Sequence, residues 1–284
     1  MPYLIVFIVL AALALVYAHF VEPGLLTVRT YRVQFDDHRL QIRKGGHETG
    51  SKKICFFSDL HAGPFFCKRR LERVVKRIRA CAPDLILCGG DLVTEESDVA
   101  GQAFKDELIQ FFASLTALAP VVAVFGNHDA EDDRNRRLTE EIYRAAGVRL
   151  LSNEQFDPEG MPLSVFGTEE GYFGRPKEVP EGFSGILLCH QPDLVPGLTA
   201  NGGAILGLSG HTHRGQVTLA GLPLVKVNLG RLFTYGLYIF NKAQALLVTG
   251  GIGMVHLPFR FWALPEIVCL SVSYRNFEAA DTLD

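Results

Sequence analysis

No Lys or Arg precedes Arg29, no cysteines are spaced CxxC, and neither sign of charge is in large excess. Each absence narrows the reading. A secretory signal peptide wants a basic stretch before its apolar core, and an export signal of the twin-arginine kind wants its arginine pair; neither is present, and no A-x-A site clearly ends the run. The six cysteines are Cys55, Cys67, Cys81, Cys88, Cys189 and Cys269. Cys55, Cys88, Cys189 and Cys269 lie in apolar runs, where Cys behaves as a small hydrophobe. All six are read as free thiols in a reducing compartment. A net charge of −3 and a pI near 6.3 give no electrostatic case for nucleic acid as a partner. Any phosphate chemistry must rest on a local site. Residues 51–284 contain no repeat and no low-complexity linker.

What is present begins with an unbroken apolar run over residues 3–18, which His19-Phe20-Val21 extends. That is close to the ~20 residues needed to span a bilayer. The run is read as a retained single-pass anchor rather than a cleaved signal or a buried helix. Arg29, Arg32, Arg39, Arg43 and Lys44 follow it, so the downstream side is expected to be cytoplasmic, at the inner membrane. The expected organisation is an anchor over 1–21, juxtamembrane strands and a linker over 22–50, and one domain over 51–284. Residues 27–35 and 40–43 read as the two strands, with Asp36-Asp37-His38 turning between them.

From residue 54 the pattern alternates. Strands are expected at 54–58, 84–88 and 121–125, and helices at 67–81, 98–118 and 133–146. Such alternation implies parallel strands joined by right-handed crossovers, with any site at their carboxyl ends. Beyond Val148 the strand-like runs are short (163–166, 185–189, 204–208, 216–219, 245–249, 267–272) and helix is sparse. They predict a second sheet packed on the first.

The strand ends carry the chemistry: Asp59, His61, Asp91, Asn127, His128, His190, His211 and His213. Singly, each has a plain reading as a hydrogen-bonded structural residue or a helix cap. Together they are a mixed oxygen and nitrogen set, suited to Mn, Fe, Zn or Co better than to Ca. They outnumber the needs of one ion and suit a pair about 3.5–4 Å apart. Asp59-x-His61 and His211-x-His213 are spaced so that, in extended chain, both partners point the same way. Asp91, with two oxygens, is the natural bridge.

Asp59-Leu60-His61, Gly90-Asp91, Gly126-Asn127-His128-Asp129, His190 and Gly210-His211-Thr212-His213 resemble the signature of calcineurin-like metallophosphoesterases, all in order. The resemblance implies a four-layer αββα sandwich, two mixed β-sheets flanked by helices, in an α+β fold with the transmembrane helix added. It implies two divalent ions, Mn2+ first among Mg2+, Fe2+ and Zn2+. Asp59, His61 and His213 would bind one, Asn127, His190 and His211 the other, and Asp91 both. Water activated between them would attack phosphorus in line. His128 would face the phosphate as acid or charge stabiliser, and Asp129 would orient the His128 ring. Two positions depart from the commoner pattern. Thr94 stands where many members have an acid, and Arg214 stands where anchored relatives have Gly.

The anchor, His190-Gln191-Pro192-Asp193, Leu257-Pro258-Phe259-Arg260-Phe261 and Pro265-Glu266-Ile267 are similar to the YkuE/YaeI-like membrane-anchored branch. That branch includes a UDP-2,3-diacylglucosamine pyrophosphatase of lipid A biosynthesis. The resemblance implies a phosphorylated, lipid-linked substrate. Tyr172, Phe173, Phe233, Tyr235, Leu237, Tyr238 and Phe240 are candidates to line an acyl groove, with the ordinary core of the second sheet as the alternative. Arg214, Arg231, Arg260 and Arg175 are candidates for the diphosphate, Tyr172 for substrate contact. A phosphodiesterase of other or broad specificity is the nearest alternative. A non-catalytic scaffold is the other, and the filled ligand positions oppose it.

Overall fold

The apolar run at the N-terminus makes a helix because no residue within it breaks one. In the computed structural model, which describes residues 2–36, 38–46, 48–63, 68–94 and 101–274, α1 (Pro2–Val16) buries none of its residues. With the π-helical and 3-10 turns that follow, the helical stretch Pro2–Gly24 is long and apolar enough to cross a membrane. Its foot is fixed to the body. The buried Glu22 carboxylate accepts the backbone N–H groups of Trp262 and Ala263, at 2.9 and 2.6 Å. The Tyr17 ring meets Phe261 edge-on at 6.4 Å.

After the foot come β1 (Thr27–Phe35), β2 (Leu40–Lys44), β3 (Lys52–Phe57), α2 (Lys68–Cys81), β4 (Leu85–Cys88), α3 (Gly101–Thr116), β5 (Val121–Ala123), α4 (Asn127–Ala130), α5 (Asp133–Ala145), β6 (Arg149–Leu150) and β7 (Glu154–Phe156). The rest is β8 (Ser164–Gly167), β9 (Gly185–Leu188), α6 (Val195–Leu198), β10 (Ile205–Ser209), β11 (Thr218–Leu219), β12 (Leu222–Pro223), β13 (Gly236–Ile239), β14 (Gln244–Val248) and β15 (Glu266–Tyr274). The first sheet runs β2-β1-β15-β3-β4-β5-β6 and the second β13-β14-β10-β9-β8-β7. As expected, β3, β4 and β5 are parallel; β6, which the sequence reading did not place, continues the parallel order beside β5. The expected helix starts at 67 and 98, Asp37 of the first turn and the Cys67 thiol lie outside the described residues.

The two sheets pack face to face through Phe56, Leu87, Val124, Leu188, Leu206 and Leu247. The other face of the first sheet is covered by α2, α3 and α5 through Leu71, Val74, Ile78, Phe112, Leu115 and Ile142. Outside the second sheet the helical layer is thin. Between Pro192 and Leu198 it amounts to a 3-10 turn and single-turn α6, over Val195, Leu246 and Val248.

Several elements differ from expectation. The run at 267–272 was assigned to the second sheet; as β15 it lies inside the first, parallel to β1 and antiparallel to β3. Strands buried on both faces carry no alternation that would tell the sheets apart. Strands β1 and β2 are part of that same sheet, so it reaches back to Thr27, ahead of the boundary expected at residue 51. The run at 216–219 yields only the small hairpin of β11 and β12, while β7 and β13 had no sequence signal strong enough to be read.

Candidate metal centre

Loops at the carboxyl ends of five strands are knitted together at one edge of the sandwich. The Asp59 N–H donates to the Gly90 carbonyl at 2.9 Å, that of His61 to Asp91 at 3.0 Å, and that of Gly210 to His190 at 3.1 Å. Glycine is needed where these loops cross. A Cβ on Gly126 would collide with the Asp91 carboxylate, and one on Gly210 with Asp59.

Asp59, His61, Asp91, His211 and His213 all have positive φ, between 43° and 69°. This corrects the extended-chain reading of the two i, i+2 pairs: left-handed turns, not strand geometry, bring the partners together. Such backbone is uncommon for these residues and costs about 1–3 kcal/mol each at the more sparsely populated conformations. Five cases in one cluster mark a site shaped for something other than stability.

The side chains form two groups. Asp59, His61 and His213 offer ligand atoms within 4.8 Å of one another, and so do Asp91, His190 and His211. Asp91 Oδ2 lies 3.2 Å from His190 Nε2 and 3.4 Å from His61 Nε2, so one carboxylate oxygen faces both. Asn127 Oδ1 is 3.2 Å from His190 Nε2. The second group's rings are held by their outward nitrogens: His190 Nδ1 faces the Gly89 carbonyl at 2.7 Å and His211 Nε2 the Asn228 carbonyl at 2.7 Å. That leaves the inner nitrogens for a ligand.

Charge and burial fit a cation. Burial pushes the His61 imidazole down to about 3 and His211 down to about 4, and holds His213 well below its ordinary value. Burial thus favours the neutral form of these three rings, the form that presents a lone pair. Burial alone would raise Asp91, yet His190, His128 and His61 around it hold its carboxyl well below the usual range. The buried Asp59 Oδ2 and His61 Nδ1 have no hydrogen-bond partner. His61 and His213 bring their Nε2 atoms within 2.9 Å. A buried carboxylate oxygen without a donor and two imidazole nitrogens turned on each other are what a divalent ion between them would satisfy.

His128 is half-buried at the edge of the cluster, its ring 5.1 Å from His61. Its Nδ1 pairs with Glu131 Oε2 at 3.1 Å, and Asn135 Nδ2 holds Glu131 Oε1 at 3.0 Å. This corrects the role expected of Asp129. That carboxylate is fully buried and turned away, accepting the backbone N–H groups of Gly126 (2.9 Å), Leu92 (2.8 Å) and Val93 (3.3 Å). It fastens the strand-end loops. Glu131 was missed, although its i+3 spacing from His128 on a helical turn was the signal available.

The expected substrate contacts divide. Arg260 is wholly buried, and this corrects its assignment to a diphosphate. Its guanidinium donates to the carbonyls of Gly253, Ala263 and Gly250 at 2.6–2.9 Å and reaches His213 Nδ1 at 3.3 Å. Arg260→Met should therefore lower stability by about 3 kcal/mol, since three buried carbonyls lose their donor. Denaturant unfolding checks this; unchanged stability would return Arg260 to the list of ligand contacts. Arg214 lies over the Tyr235 ring, 4.2 Å from its centroid. The Tyr172 hydroxyl donates to the Asn228 carbonyl at 2.6 Å, the same oxygen that holds His211. Arg231 is exposed on the rim, its backbone N–H on Asp193 at 2.9 Å. Arg175 is exposed, with its backbone N–H on Glu169. Phe233, Tyr238 and Phe240 pack on one another and on the core of the second sheet, so they are not groove residues.

Gln191 and Asp193 supply the rest of the frame. Gln191 and the buried Glu170 fix the loop carrying Tyr172 and Phe173. The Asp193 carboxylate takes the backbone N–H groups of Arg231, Leu232 and Phe233.

Comparison with known proteins agrees with this geometry. The model of the calcineurin-like phosphoesterase family matches residues 52–215. Metallophosphoesterase YkuE of Bacillus subtilis (strain 168) is 26% identical over 270 residues, 92% of this chain and 90% of that protein. Phosphodiesterase YaeI of Escherichia coli (strain K12) is 28% identical over 265 residues, 90% and 92%. A transmembrane protein with a metallophosphoesterase domain from Danio rerio is 26% identical over 258 residues, 81% and 55%. With a family match over more than half its length, and the family's dinuclear metal chemistry answered by paired Asp and His groups, this chain belongs to the calcineurin-like phosphoesterases and is a metal-dependent phosphoester hydrolase.

Proposed function

We propose that the chain hydrolyses the pyrophosphate of a lipid-linked nucleotide at a membrane surface, with UDP-2,3-diacylglucosamine giving UMP and 2,3-diacylglucosamine 1-phosphate. In this reading Asp59, His61 and His213 hold one divalent ion and Asn127, His190 and His211 the other. Asp91 serves both, and Mn2+ is the first choice of metal. Such a pair supplies a nucleophile from water at neutral pH and offsets phosphoryl charge. His128 faces the leaving oxygen and gives it a proton, and Glu131 keeps the ring turned for that transfer.

The observation that carries the lipid is the apolar ridge beside the site. The chain leaves His213 and enters the hairpin of β11 and β12, where Leu219 and Leu222 are exposed. Leu224, Val225 and Leu232 continue the exposure on the segment whose Gly230 lies so close to Thr212 and His211 that an added Cβ would meet them. At the base of the hairpin Val217, just before β11, bridges Phe261, which packs on Tyr17 at the foot of α1. Exposed apolar surface running from a membrane-length helix to a hydrolytic centre suits a substrate drawn from lipid. Lys226 and Arg231 beside it suit anionic headgroups. In the same reading the helix acts as a single-pass anchor, and the basic residues after it support a domain on the cytoplasmic side of the inner membrane.

The test is turnover of UDP-2,3-diacylglucosamine against a water-soluble nitrophenyl diester, by wild type and by Leu222→Glu/Val225→Glu. Lipid turnover is expected in wild type and should fall about tenfold or more in the variant, roughly 1.4 kcal/mol, while diester turnover holds. Good diester turnover with none of the lipid would overturn this substrate in favour of a phosphodiesterase of other or broad specificity.

A further inference from the structure

Under α2, on the helix-covered face of the first sheet, three thiols converge. Cys55 on β3 and Cys269 on β15 are direct cross-strand partners, with Sγ atoms 3.3 Å apart. Cys81, the last residue of α2, completes the group, and all three sulfurs lie within 4.8 Å of one another. Cys55 and Cys269 are buried and Cys81 is half-buried, so the cluster has one side toward solvent. None of the five described cysteines is in a disulfide. The other two stand apart from this cluster: Cys88 faces the Tyr143 hydroxyl and Cys189 the Gln191 carbonyl.

The cluster is separate from the hydrolytic centre. Cys55 is four residues before Asp59, about 13 Å along a strand. Its ligand set is also different in kind, three sulfurs with no oxygen or nitrogen in the group. Hard and borderline ions prefer the Asp and His cluster, whereas thiolate selects soft ions. Lys53, two residues before Cys55 and so on the same face of β3, places positive charge near Cys269 and offsets what three thiolates would bring.

We propose that Cys55, Cys81 and Cys269 form a binding site for one soft, thiophilic cation of the Cu(I) or group 12 type, independent of the hydrolytic metals. Binding exchanges the three thiol protons, released to solvent, for three metal–sulfur bonds. No electron is transferred and no oxidant is needed. Cys81 is the entry point, because it joins the buried pair to the surface.

The probe is Cd2+, whose bonds to thiolate absorb in the ultraviolet where its bonds to oxygen and imidazole do not. The full-length protein, first loaded with Mn2+, is titrated with Cd2+. The expected result is a sulfur-to-cadmium band that saturates at one ion per chain. Cys81→Ser should weaken binding at least about tenfold, since even outer-shell partners of a metal are worth ~10–100-fold. Its diester hydrolysis should equal wild type. Absence of the band in wild type at excess Cd2+ would overturn the site. So would an unchanged affinity in Cys81→Ser, or a Cys55–Cys269 disulfide found by mass in protein purified without oxidant. Should Cys81→Ser fail to fold, Cys81→Ala replaces it, and the wild-type titration remains decisive by itself.

Discussion

Asp91→Asn should leave a folded protein whose turnover of a nitrophenyl diester is lower by about 10^3-fold or more. The reason is the position of one oxygen. Asp91 Oδ2 faces His190 on one side and His61 on the other, while Oδ1 accepts the His128 backbone N–H at 2.9 Å. Asn fits the space and can still accept that N–H. It cannot supply negative charge to two ions, and its NH2 group would face two imidazoles. Losing a shared charged ligand costs several kcal/mol of charge stabilisation, and each 1.36 kcal/mol is tenfold in rate. Metal content should fall below two per chain while thermal unfolding stays cooperative. A variant that kept two ions and its activity would refute the shared role of Asp91.

Exchanging His128 for Gln should reduce kcat by about 10^2–10^4-fold, the range for a positioned acid or base, with metal content unchanged. Glu131→Gln should give a smaller loss in the same parameter, because the ring stays but its orienting charge goes. Asp129→Asn should behave differently. Its amide keeps one accepting oxygen but must turn its NH2 on either the Gly126 or the Leu92 N–H group, costing about 1–3 kcal/mol of stability. Comparing kcat, metal content and denaturant midpoint across the three variants separates the roles. Equal catalytic loss in the Glu131 and Asp129 variants, with stability intact in both, would restore Asp129 as the orienting acid.

How far the sequence reached depends on the kind of information each feature carries. The strand ends were legible because polar residues beside glycine, after short buried runs, have few other uses. The parallel order of β3, β4 and β5 followed from alternation with helices. The partner of His128 was only partly legible: Glu131 stands one helical turn on, at i+3, but Asp129 is the immediate neighbour, and the choice depends on which way the His128 ring is turned. Arg260 looked like a phosphate ligand because an arginine near a hydrolytic motif is usually free to act. Here three backbone carbonyls bind it, and carbonyls leave no trace in the residue pattern. The placement of β15 was hidden for a related reason, since a strand buried on both faces says only that it is central.

That central position has a consequence for biosynthesis. Thr27 Oγ1 donates to the Pro265 carbonyl 238 residues away, and β1 meets β15 along its whole length. The strands nearest the helix must therefore wait, unpaired at one edge, until β15 has left the ribosome. Contacts so distant in the chain form slowly and leave strand edges open to wrong partners. Were the Pro2–Gly24 helix seated in a bilayer, as proposed above, it would keep those waiting strands apart from other nascent chains during maturation.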